Sequence, residues 1–145
     1  MEDITEILDM LDWHMPLAVQ SRGRSFARNT GTILPFLQPV TPRHNKNVWG
    51  NCAAIISEKS DEYLRPYLVE LLEWLRDMTW PGAFCILHRL QEYADQASIR
   101  QAIHICLEKA KTDSDPIWET NLRLLLHKLE NQPRIPSGFY VESVS

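Results

Sequence analysis

Two sets of side chains in this chain have types and spacings that could do chemistry. Cys85, His88 and Glu92 stand at i, i+3 and i+7, which puts a thiol, an imidazole and a carboxylate on one helix face. With a fourth group from another element, such as His104, they could hold zinc. One helix alone cannot surround an ion, and the chain has no C-x-x-C pair, so the plainer reading is an exposed polar face with no metal or other cofactor. The second set is Trp74, Asp77 and Trp80, followed by Pro81, with Asp113, Asp115 and Trp118 further along. Indoles beside carboxylates can grip a protein partner, because Trp dominates interface energetics. They also have a structural use: an Asp at a helix start accepts from the free amides there, and Trp rings fill the space between helices. The partner-binding candidates are therefore Trp74, Asp77, Trp80, Asp113 and Trp118, and no catalytic residue is assigned.

Other chemistries find less support. The three cysteines, Cys52, Cys85 and Cys106, are odd in number and widely spaced, which fits reduced thiols in a cytoplasmic protein; Cys52 and Cys106 fall on apolar stripes as small core residues. Gly23 and Gly31 are too isolated for a phosphate-binding loop. Fifteen Lys and Arg against 19 Asp and Glu give a net charge of −4, which offers nucleic acid no overall attraction. The apolar runs fall far short of the roughly 20 residues that span a bilayer, and Met1-Glu2-Asp3 does not open a signal peptide, so neither a membrane nor an export route is expected.

The elements that position these residues follow from apolar spacing. With 145 residues, 44% of them apolar and only 5 Gly and 9 Pro, the chain is read as one domain with three parts: residues 1–47, 48–131 and 132–145. Apolar residues recur at the 3.6-residue period and nowhere alternate as a strand would, so the fold is all-α, with about six helices. The first carries Ile4, Ile7, Leu8 and Leu11 behind an Asp3 cap. Residues 14–48, with four prolines, five Lys or Arg and no acid, are expected to be irregular; the +5 segment is either a contact for an anionic partner or, more simply, a solvated loop that neutralises acidic helices.

Further helices are expected over Trp49 to Glu58 and from Ser60 to Met78, the latter broken near Pro66. A fourth has Pro81 in its first turn and Ala83, Ile86, Leu87, Leu90 and Ala94 on its apolar face. A fifth is capped by Ser98, and a sixth opens at Asp115-Pro116 and carries Trp118, Leu122, Leu125, Leu126 and Leu129. Beyond Asn131, Pro133 and Pro136 argue for an extended tail. Short connections and wide apolar stripes make a stack of antiparallel helical hairpins the natural architecture, an α-α superhelix.

The stretch Trp74-Leu-Arg-Asp-Met-Thr-Trp-Pro-Gly82, set between the helix beginning at Pro66 and the one beginning at Ala83, resembles a HEAT-type repeat. More narrowly, its pattern W-L-x-D-x-x-W-P-G is similar to that of a family of small bacterial helical proteins of unknown function. The likeness extends to Trp49-Gly-Asn-Cys-Ala53, Ser60-Asp-Glu62 and Asp115-x-x-Trp118, and covers about residues 48–130. Arg76-Asp-Met-Thr79 stands where the resemblance implies Gln-Asp-x-Asn. The resemblance implies a HEAT-like fold and no reaction.

The functional expectation is a non-enzymatic module that binds another protein through a curved face or the basic loop. Two alternatives stand beside it. An immunity protein that neutralises a toxin would be a special case of protein binding. A HEAT-like DNA glycosylase would use Asp77 or Asp113 as its acid and Trp80 or Trp118 as its stacking surface, although the acidic balance argues against a duplex binder.

Overall fold

The computed structural model describes residues 3–40 and 44–131, and among these every regular element is helical. The α-helices are α1 (Ile4–Met10), α2 (Leu17–Arg28), α3 (Trp49–Ser57), α4 (Asp61–Leu64), α5 (Leu68–Leu72), α6 (Ala83–Gln91), α7 (Gln96–Thr112) and α8 (Pro116–Asn131). α4 and α5 belong to one broken rod, because 3-10 turns at Arg65–Tyr67 and Glu73–Arg76 continue them. The described residues thus hold seven helical units in place of the six expected. The tail expected to be extended, 132–145, and loop residues 41–43 lie outside the described residues.

The additional unit is α2, inside the segment expected to be irregular. Its inward positions Gln20, Gly23 and Ala27 keep helical spacing but are polar or small, so no large-residue stripe marks them. The small face lets α1 close in: a Cβ on Gly23 would stand 2.8 Å from Cβ of Met10. Asn51 of α3 completes the joint, donating through Nδ2 to the Leu11 carbonyl at 2.8 Å and to Oε1 of Gln20 at 3.0 Å, while its Oδ1 accepts from Arg24 at 2.9 Å. Arg28 reaches Glu58 in a two-bond pair at 2.7 and 2.9 Å, so part of the basic segment's charge is spent on its own acidic helices.

Caps set most other boundaries. Asp3 accepts from the Glu6 amide, Ser60 from Tyr63 and Asp115 from Trp118, each the acceptor a helix start needs. Pro66 breaks the rod where expected. Three local expectations are corrected. The cap of α7 is Asp95, which accepts from the amide and hydroxyl of Ser98 at 3.2 and 2.7 Å, so the helix begins earlier than a Ser98 cap implies. α6 ends at Gln91, so Ala94 is exposed and Tyr93 takes the buried place, its hydroxyl donating to the Asp61 carbonyl. Pro81 precedes α6 rather than entering its first turn, because Gly82 turns the chain at φ +87° and only Ala83 begins the helix.

That turn is a tight junction. A Cβ on Gly82 would lie 2.6 Å from Cβ of Ala53 and 2.9 Å from the Trp49 carbonyl oxygen, so glycine serves both the left-handed backbone and the close approach of α3. Arg89 of α6 fixes the far end of α3, donating to the Ser57 and Lys59 carbonyls and to Oδ1 of Asp61 at 2.6 Å. α6 packs on α3, α5 on α7, and α7 along α8, around a core that includes Trp74, Trp118, Ile55, Leu71 and Ile103.

Candidate functional site

The Trp74-to-Gly82 segment forms the first polar-aromatic corner. Trp74 is fully buried, its indole N–H donating to the Pro81 carbonyl at 2.9 Å. Trp49 stands edge-on to Trp74 at 6.1 Å and to the half-buried Trp80 at 5.1 Å. The Lys46 ammonium rests over Trp49 and Trp80, 5.6 and 5.3 Å from the ring centres. Asp77 folds back on its own turn: its Oδ1 accepts from the Thr79 hydroxyl at 2.6 Å and amide at 2.8 Å. These bonds, with Lys46 nearby, hold its carboxyl below the usual carboxylate range. Trp74, Asp77 and Trp80 are thus brought together, with Trp80 and Asp77 reaching the surface.

Asp113 and Trp118 belong to a second cluster, whose hub is Arg76. Its guanidinium lies 3.8 Å from the centre of the Trp118 ring and donates to Glu73 at 2.5 Å, Asp113 at 2.9 Å and Asp115 at 3.2 Å. Lys109 takes the other oxygen of Glu73, also at 2.5 Å. Trp118 itself is fully enclosed, with its N–H on the Leu72 carbonyl at 3.0 Å. Two cations and three carboxylates join the end of the broken rod to the α7–α8 turn. Such a network, each member committed to another, orients the helices.

Among the described residues no group of three or more His, Cys, Asp or Glu could hold a metal ion. Cys85 is half-buried beside the Ser57 hydroxyl at 3.3 Å, while His88 and Glu92 face solvent and Glu92 lies just past the end of α6. The Cys52 and Cys106 thiols are buried; burial pushes both pKa values up, that of Cys106 to about 12, the reverse of what a nucleophilic thiolate requires.

A mostly apolar groove lies elsewhere on the surface. α6 packs on α3 and α8 packs on α7, and the wedge between α6 and α8 is a groove of about 290 Å³. Its floor and walls are Leu75, Met78, Phe84, Leu87, Leu124 and Leu125; Gln91, Asn121 and Lys128 supply the polar edge. Asn121 secures the floor by donating to the Leu75 carbonyl at 2.7 Å. Phe84 is 61% exposed and Leu124 62%, so two large apolar side chains flank a mostly apolar trough. Lys128 has no ion pair among the described residues.

A family described as a domain of unknown function, DUF5071, matches residues 41–136, two thirds of the chain. The chain belongs to the DUF5071 family. Both clusters and every groove residue lie within the DUF5071 match, whereas α1 and α2 precede it. No curated protein and no solved structure matches the chain. Within the DUF5071 region, sequence reasoning passed over Phe84, Leu124 and Lys128. A signal was present: in Leu124-Leu125-Leu126 three successive leucines cannot all face one side of a helix, and the stripe Leu122, Leu125 and Leu129 leaves Leu124 outside it. Arg76, the residue departing from the expected Gln, is the hub of the second cluster.

No helix among the described residues is long and apolar enough to cross a membrane.

Proposed function

We propose that this chain is a non-enzymatic protein-binding module built on a HEAT-like stack of helical hairpins, with the α6–α8 groove as its docking surface. The packing of consecutive helices on each other, α1 with α2 and α7 with α8, supports the hairpin reading. One observation carries the docking reading: Phe84 and Leu124 stand largely exposed, one on α6 and one on α8, beside an apolar trough whose lining includes Lys128. The occupant fitting that chemistry is a polypeptide segment with two or three bulky apolar side chains followed by a carboxylate, which would meet the lysine ammonium. Trp80, Asp77 and Asp113, at the surface of neighbouring turns, are proposed as outlying contacts, with Trp74 and Trp118 fixing those turns from within. The glycosylase alternative has less support, since Trp118 lies beneath Arg76 and Asp113 is ion-paired.

A displayed random-peptide library panned on the immobilised chain tests the proposal. The expected winners carry an aromatic or aliphatic cluster next to Asp or Glu, and their binding falls at least about tenfold in Leu124→Asp. Leu124 is exposed, so the variant keeps its thermal stability. Enriched peptides that bind Leu124→Asp unchanged, or no enrichment at all, would refute it.

A further inference from the structure

Resting on that reading of the groove, we infer that its resident occupant is this chain's own segment Phe139-Tyr140-Val141-Glu142. The groove asks for bulky apolar side chains followed by an acid, and these four residues offer two aromatics, a valine and then Glu142, the sole acidic residue of 132–145. Lys128, at the polar edge, lacks an acidic partner among the described residues. Reach is ample. α8 ends at Asn131 and Leu124 stands seven positions earlier, about 10 Å back along the axis. The eight residues from Asn131 to Phe139 extend to as much as about 27 Å, more than a return to Leu124 needs.

The family match sharpens the point. Every groove residue lies within residues 41–136, while Phe139 to Glu142 lie beyond them, so a docking surface of the domain meets a segment outside it. A tethered segment acts at an effective concentration of the order of millimolar, so a weak intrinsic fit is enough for it to compete with a free peptide.

Two measurements on the full chain decide the matter. In the first, Tyr140→p-benzoylphenylalanine is photoactivated and the products are mapped by mass spectrometry. The expected product is a cross-link within one chain to peptides of α6 or α8 that line the groove. A product of dimer mass, which would place the segment on a second copy, a link to any other element, or no link at all overturns the inference. In the second, a library-selected peptide is titrated against the native chain and against Phe139→Ser/Tyr140→Ser. Freed of its own occupant, the double variant binds the peptide at least about tenfold more tightly. Equal affinities overturn the resident segment and leave the groove standing as a docking site, whereas no binding to either protein removes both.

Discussion

The guanidinium of Arg76 lies over Trp118, 3.8 Å from the ring centre, and from there reaches Glu73 in its own turn and Asp113 and Asp115 between α7 and α8. Arginine's planar fork can stack and donate in several directions at once, which a lysine ammonium cannot do. This contact joins the end of the broken rod to the start of α8, the two elements that supply Leu75 and Leu124 to the groove.

Removing that hub should therefore loosen the groove's frame. Arg76→Met leaves Glu73, which is largely buried, with Lys109 alone, and is expected to cost about 2 kcal/mol, a figure reduced from that of a fully buried pair because Arg76 is about a quarter exposed. Arg76→Lys should recover less than half of the loss. Urea denaturation of the single variants and of Arg76→Met/Glu73→Gln checks this, and the double variant should be less destabilised than the sum of the singles.

How far the sequence led depends on which physical signal each residue carries. Asp3, Ser60, Asp115 and Pro66 act locally, through hydrogen bonds or steric exclusion within one turn, so the boundaries they set could be read from neighbours in the chain. α2 was illegible because its inward face is Gln20, Gly23 and Ala27: it is held by close approach to Met10 and by Asn51, from remote parts of the chain. Asp95 and Ser98 both suit a cap, and only the hydrogen-bond geometry separates them. The Trp-rich turn was visible as a cluster, but its partners Trp49 and Lys46 come from about thirty residues upstream. The groove depends on how α6 and α8 lie beside each other, which no spacing within either one encodes.

Gly82 and Gly31 make an internal comparison. Both have positive φ, +87° and +79°, but nothing lies within 4 Å of a Cβ placed on Gly31. Gly31→Ala should cost about 1 kcal/mol from backbone strain, and Gly82→Ala about 3 kcal/mol or more, since it also meets Ala53 and the Trp49 carbonyl. Melting temperatures of the two variants measure the difference.

Thiol reactivity should sort the cysteines. At pH 8 only half-buried Cys85 is expected to react with a maleimide on the timescale of minutes, with Cys52 and Cys106 following when the chain unfolds. Mass spectrometry of the labelled native protein reads the site directly, and labelling of Cys52 or Cys106 would contradict the packing of α3 or α7.

Acid should weaken the fold through its caps. The side chain and amide of Ser98 hold the Asp95 carboxyl below its ordinary 3.8. A carboxyl lowered in the folded state stabilises it fully at pH above the unfolded value, and that contribution is lost as pH falls through the folded one. Stability should therefore be level above about pH 5 and decline below about pH 4. Asp95→Asn, which keeps a capping oxygen but cannot ionise, should lower the melting temperature at pH 7 and converge on the native value near pH 2.

The docking claim is tested most directly by methyl NMR of the full chain titrated with a library-selected peptide. The account predicts saturable shifts centred on the methyl groups of Leu75, Met78, Leu87, Leu124 and Leu125. Shifts centred on another face, such as Ile105 on α7, with the groove methyls unmoved, would contradict it.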